Sequence, residues 1–325
     1  MTAIALLAVT ACSQQQFEVV AQNKKFAQEA HYNNKVDILW VIDNSNSMLQ
    51  HQQKIAQQVS GIINALKSTG MDFHMGVTTM DVSSTGEKGR LLATPLGSPT
   101  FLTNSTPNML SILQERLQMG DGGSSVERAL EATKLALTEP LLSGYNKGFR
   151  RLKTDRSEGA VLSVIYLTNE DDESGSAVPD PVDFFNKNSV ISAWSGLPQW
   201  VVSFVGTIPD DPTCSTVPWT KEDGLKFIAL ADRSGGGISS ICTDDFAEAL
   251  ANIQGRILSV LTEYYFQKDP LVSSIKVYID GVQIPNDPTN GWTYFASPKP
   301  KIRFNGSAIP PIGSTIEVDF KPQEL

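Results

Sequence analysis

ILWVIDNSNSM (38–48) runs from an apolar segment straight into Asp43, Asn44, Ser45, Asn46 and Ser47. Asp, Asn and Ser at a strand end commonly serve local turn hydrogen bonds. One carboxylate with two hydroxyls at alternate positions is also a set of hard oxygen donors. Such donors suit Mg2+ or Mn2+, which keep water in their shell and use few protein carboxylates; Ca2+ takes the same ligand types. Just before this point, 36–42 is short, mostly apolar and bounded by polar residues, which predicts a buried strand. Just after it, Ile55, Val59, Ile62, Ile63 and Leu66 recur at helical spacing and predict an amphipathic helix over 48–67.

The alternation continues. Strands are predicted at 73–80, 160–167 (AVLSVIYL), 200–205 and 238–241, and helices over 108–119, from near Ser125 through Leu137, and over about 244–260 behind the capping residues Thr243, Asp244 and Asp245. Strands alternating with helices mean βαβ units and a mostly parallel sheet covered on both faces, an α/β fold. In such sheets ligands bind at the carboxyl ends of strands near the switch point, and Asp43 sits at such an end. From about 268 the pattern changes. Ile275, Val277 and Ile279, then Ile316, Val318 and Phe320, alternate with polar residues, and Asp280-Gly281, Asn290-Gly291 and Asn305-Gly306 punctuate them. This predicts a small antiparallel β domain over 268–325, too small to stand alone and leaning on the α/β domain.

The 325 residues suffice for one large domain with an accessory, and 41% hydrophobic residues allow a sizeable core. A net charge of −9 argues against nucleic acid as a partner, since phosphate contacts need clustered Lys and Arg. His31, His51 and His74 show no zinc spacing, and the chain has no G-x-S-x-G elbow, phosphate loop or dinucleotide fingerprint. Nothing asks for an enzyme. Two further loops carry oxygen donors: GDGGSS (120–125) before a helix, and LTNEDDE (167–173) after AVLSVIYL. Both reach the end of the first strand if the strands are neighbours; the other reading of the acidic run is a solvated loop or helix start. Asp81, ending FHMGVTTMD near the upper rim, is a group behind the metal ligands, a ligand-facing charge or a turn Asp, and the turn is favoured.

DNSNS matches the D-x-S-x-S pattern of von Willebrand factor A (VWA) domains, the metal-ion-dependent adhesion site, and the order of elements resembles that family from about 35 to 260. GSSVERALEA (123–132), NKGFRR (146–151), LTNEDDES (167–174) and GGGISSICTDDF (235–246) resemble a group of bacterial VWA lipoproteins. The resemblance implies a Rossmann-like fold over 35–262 with a cation at the top of the sheet. It makes Asp43, Ser45, Ser47, Ser124 and Asn169 the metal set, with Glu170, Asp171 and Ser125 as further candidates and Asn44, Asn46 and Asp81 at the partner-facing rim. Ser124 stands where the family usually has Thr, and Asn169 where it usually has Asp, so Asp43 is the only carboxylate among the matched positions. The implied function is capture of a partner protein's Asp or Glu carboxylate through the ion. A metal-independent envelope scaffold and an accessory subunit of an enzyme or secretion complex are the rival readings.

At the N-terminus, Val9-Thr10-Ala11-Cys12 resembles a bacterial lipobox. The apolar run before Cys12 is too short to cross a bilayer as a helix. No positive segment precedes it; a start upstream of this Met would supply one. The resemblance implies a signal over 1–12, lipid on Cys12, a polar tether over 13–34 and, with Ser13 following the lipidated residue, the outer membrane of a bacterial envelope. The alternative is a free N-terminus with a chance cysteine. In an oxidising compartment Cys214 and Cys242 are expected to pair; the alternative is two buried thiols.

Overall fold

The protein is described by a computed structural model covering residues 26–31 (backbone only), 33–154, 159–191, 198–214, 222–297, 299–311 and 313–323. Cys12 and the signal over 1–12 lie outside the described residues, as does 13–25 of the segment read as a tether. The elements in chain order are β1 (Phe26–His31), β2 (Lys35–Ile42), α1 (Leu49–Gln58), α2 (Ser60–Ser68), β3 (Asp72–Thr79), β4 (Leu102–Thr103), α3 (Met109–Arg116), α4 (Ala129–Leu137), β5 (Val161–Thr168), α5 (Pro181–Lys187), β6 (Val190–Ile191), β7 (Pro198–Gly206), α6 (Leu225–Ser234), β8 (Ile238–Ser240) and α7 (Ala247–Thr262). There follow β9 (Glu263–Tyr265), β10 (Lys276–Ile279), β11 (Val282–Ile284), β12 (Trp292–Phe295), β13 (Lys301–Phe304) and β14 (Thr315–Phe320).

The central sheet has the order β4-β3-β2-β5-β7-β6, with β8 also paired to β7. β3, β2, β5, β7 and β8 are parallel, and the two-residue strands β4 and β6 run antiparallel at its margins. This is the α/β, mostly parallel architecture expected. The long strands are apolar on both faces because helices cover both. Val36, Ile38, Trp40 and Ile42 of β2 pack with α1, α2, α3 and α7, whereas Leu39 and Val41 pack with α4, α5 and α6. Ile42 is level with Thr79 on β3 and with Leu167 on β5, so the segments following these three strands emerge together. The chain moves from β2 to β3 on one side and later to β5 on the other, which makes the end of β2 the switch point.

Several local readings change. The helix over 48–67 is two helices, broken at Val59, which lies in a turn without Gly or Pro. α4 starts at Ala129 rather than near Ser125, because the amide of Leu130 bonds the Asp172 carboxylate (2.9 Å) from a distant loop, a cap invisible locally. Gly235, at φ 69°, ends α6 in the left-handed region that glycine adopts freely. Part of the stretch read as a tether, Phe26–His31, is a strand, antiparallel to β14 through all six of its residues.

The β module is therefore larger than 268–325. One sheet has the order β1-β14-β10-β11 and the other β12-β13-β9, so it takes β1 from before the α/β domain and β9 directly from the end of α7. The α/β domain is an insertion between β1 and β9. Asp280 and Gly281, at φ 49° and 78°, make the two-residue turn between β10 and β11 that Asp-Gly predicts. Tyr264, Val277, Ile302, Phe304, Ile316 and Phe320 join the same apolar cluster as Ile253, Ile257 and Leu261 of α7, which is how the module leans on its neighbour. Cys214 and Cys242 form a disulfide, with Cα atoms 5.1 Å apart. Among the described residues no helix is long and apolar enough to cross a membrane.

Candidate metal centre

Two aspartates on β2 and at its end define the site by contrast. Asp37, near the start of the strand, is fully buried and neutralised: Arg150 Nη1 donates to Oδ2 and Arg151 Nε to Oδ1, each at 2.8 Å. Arg151 also reaches Asp72 Oδ1 at 2.7 Å, so the NKGFRR stretch holds the amino-terminal edge of the sheet. Asp43, at the carboxyl end, is equally buried (0% exposed), and no Lys or Arg pairs with it among the described residues. Its Oδ1 accepts the Ser45 amide and its Oδ2 the Thr168 hydroxyl, both at 2.8 Å. Burial pushes its pKa up; the Ser45 amide and Thr168 hydroxyl oppose this, and the nearby Glu170 carboxylate adds to it. A buried carboxylate without a countercharge is costly, and a cation is one remedy.

The expected donors lie beside it. Ser45 Oγ and Ser47 Oγ are 3.1 Å apart, and Ser47 Oγ donates to Asn169 Oδ1 at 3.2 Å. Hydroxyl, hydroxyl and amide oxygen thus form a connected row next to Asp43. Asn169 is fully buried, and its backbone oxygen accepts the Thr207 hydroxyl at 3.2 Å, so its backbone is held from behind. Each of these oxygens has lone-pair capacity beyond the bonds described, so the donor set fits a small hard cation completed by water.

The second loop is present at the site but its hydroxyls are not joined to this row. Ser124 is half-buried; its Oγ accepts the Val126 amide (3.0 Å) and its amide donates to Asp81 Oδ2 (3.2 Å). Ser125 is exposed. Asn46 is exposed on the rim, and half-buried Asn44 accepts the Gly123 amide on its backbone oxygen at 2.9 Å. A Cβ on Gly123 would lie 2.4 Å from the Asn44 side chain, which would have to turn away to admit it.

The acidic run divides by task. Glu170 is buried and close enough to Asp43 to raise its pKa. Asp171 does not join the donor row: its Oδ1 accepts the Lys226 amide at 3.0 Å and its Oδ2 pairs with Lys226 Nζ at 3.3 Å, anchoring the first turn of α6. Asp172 caps α4, and burial pushes its pKa up. Asp81 is not a rim charge. It is 4% exposed, with Oδ1 accepting the Ser83 amide at 2.8 Å and Oδ2 that of Ser124. It makes a turn bond and also holds the second loop.

Two residues without a local signal complete the framework. Thr168 holds Asp43 and also accepts the Glu170 amide at 3.0 Å. Gln52 on α1, fully buried, donates from Nε2 to Asp43 O (2.9 Å) and Gly120 O (3.0 Å) and accepts the Gly120 amide on Oε1 (3.0 Å).

No family model matches the chain, and no curated protein matches it. Among solved structures the chain is similar to the pilus adhesin SpaC from Lactobacillus rhamnosus GG. In its open conformation the TM-score is 0.37 at 9% identity, over 91% of this chain and 40% of that one. In a second form the values are 0.35, 10%, 91% and 41%. Proximal thread matrix protein 1 from the mussel byssus gives 0.37 at 11% identity, over 73% of this chain and 48% of that one. The chain spans less than half the length of each. At these scores the reading of the site rests on its own residues.

Proposed function

We propose that this protein is a metal-dependent binding module that captures a carboxylate of a partner protein, an Asp or Glu, rather than an enzyme. What carries the reading is Asp43: a buried carboxylate with no cationic side chain paired to it among the described residues, flanked by the connected oxygens of Ser45, Ser47 and Asn169 at the switch point of the sheet. Those residues would hold Mg2+ or Mn2+, or Ca2+ less tightly, with Ser124 or Glu170 completing the shell through water or by a small shift. The ion, when bound, supplies an electrophilic position for an incoming carboxylate. Asn169 leaves the protein shell one negative charge short of the VWA pattern, which lowers metal affinity while leaving the ion more attractive to an external carboxylate. Asn169→Asp is then expected to tighten metal binding and weaken partner binding; strengthening of both in parallel contradicts this.

The same Asn169 favours a second reading, a structural envelope scaffold that keeps the fold and uses no ion. Calorimetric titration of Mg2+ and Mn2+ into the wild type and Asp43→Ala separates the two. Binding that disappears in the variant supports the first. No binding at millimolar metal, with both proteins folded, supports the scaffold. Lipid attachment at Cys12 and residence at the bacterial outer membrane belong to the proposal. Membrane-fractionated protein should carry a diacylglycerol-sized mass increment that Cys12→Ala lacks.

A further inference from the structure

We infer that Gln52 and Asp81 are positioning residues that hold the 120–125 loop in its site-forming place before any ion arrives. This rests on the reading of the site given above. The loop lies in a connection of a dozen residues between α3 and α4, and GDGGSS contains three glycines, the residue with most conformational freedom to lose. Left to itself such a segment would sample many states and be ordered anew at each binding event.

Three contacts prevent that. Gln52 bonds both backbone groups of Gly120 and the carbonyl of Asp43, so one buried amide joins the first loop to the start of the second. Asn44 O takes the Gly123 amide in the middle. Asp81 Oδ2 takes the Ser124 amide at the end, while its Oδ1 is fixed by the Ser83 amide. The side chains come from two separately packed elements, α1 and the end of β3, so the loop is located against both the core and the sheet. Removing one clamp leaves the ligating atoms chemically intact but populates the competent arrangement less often, and apparent affinity falls by that fraction.

The test uses the full chain and Mn2+ as probe. Gln52→Leu removes the amide at nearly constant volume; Asp81→Asn keeps the shape and weakens the acceptor for Ser124. Each is expected to weaken Mn2+ binding about tenfold, whereas the core variant Phe185→Leu, matched for loss of melting temperature, leaves it unchanged. In chelator-treated protein, amide hydrogen exchange should be slow at Gly120, Gly123 and Ser124. It should accelerate at Gly120 in Gln52→Leu and at Ser124 in Asp81→Asn. Wild-type Mn2+ affinity in both variants, or fast exchange of these amides already in the wild type, overturns the inference. If the wild type binds no Mn2+, the binding reading falls, and the exchange rates still decide whether the clamp exists.

Discussion

Asp37 and Asp43 show how much one strand can ask of one residue type. The first is a structural ion held by buried Arg150 and half-buried Arg151. Leaving such a charge unpaired typically costs about 3–5 kcal/mol. Because Arg150 and Arg151 both hold Asp37, the double variant Arg150→Met/Arg151→Met should lower stability by that order in chemical denaturation, and a loss below about 1 kcal/mol contradicts the assignment. Asp43 has hydrogen bonds but, among the described residues, no Lys or Arg partner, and that difference was not legible locally because the arginines that hold Asp37 lie 113 and 114 residues away in the sequence. DNSNS did mark the end of β2, because alternation of Asp, Ser and Ser is a local pattern. Gln52 and Thr168 were opaque as site residues because their partners, the Gly120 backbone and the Asp43 carboxylate, lie far away in the sequence, whereas Asp81 was marked by its place at the end of a strand. His51 is a separate case. It is buried, and burial, with Lys54 adding and Asp244 opposing, pushes its pKa from 6.5 down to about 4. Between those values the unfolded chain binds a proton that the fold does not, so stability present at pH 7 is lost as pH falls through that window. The loss by pH 4 is on the order of 3 kcal/mol. Melting temperature measured against pH should lose this component in His51→Gln; identical profiles for the two proteins contradict it.

At the scale of elements, β2, β3, β5 and β7 were readable because fully buried parallel strands are long apolar runs. The start of α4 was not, because Asp172 caps it across the fold. α5 is seven residues long, too short for periodicity to declare it, and α6 carries Phe227, Leu230 and Ala231 at helical spacing over only ten. The Cys214–Cys242 bridge ties the segment after β7 to the end of β8, with a sequence separation of 28. By chain entropy it contributes about 3–4 kcal/mol. Reduction should lower the denaturant midpoint accordingly, and an unchanged midpoint contradicts that contribution.

At the scale of the molecule, the sequence pointed to an α/β domain followed by a small β domain, and the fold inserts the former into the latter. β1 was illegible because FAQEAH (26–31) lies in a polar context and becomes a strand only by pairing with β14 at the other end of the chain. Since α7 and the β module share one apolar cluster, deleting 268–325 uncovers Leu261 and Tyr264. The truncated α/β domain should unfold at a lower temperature and bind a hydrophobic dye; melting at the full-length temperature would show the two units to be energetically separate. This arrangement leaves the carboxyl edge of the central sheet, with Asp43, Ser45, Ser47 and Asn169, as the place where the account stands or falls. The most direct measurement is an anomalous difference map from crystals of the full chain grown with Mn2+. The account predicts one peak bounded by Ser45 Oγ, Ser47 Oγ and Asp43 or its water, absent in Asp43→Ala crystals. A well-ordered site with no peak at saturating Mn2+, or a peak elsewhere on the chain, would contradict it.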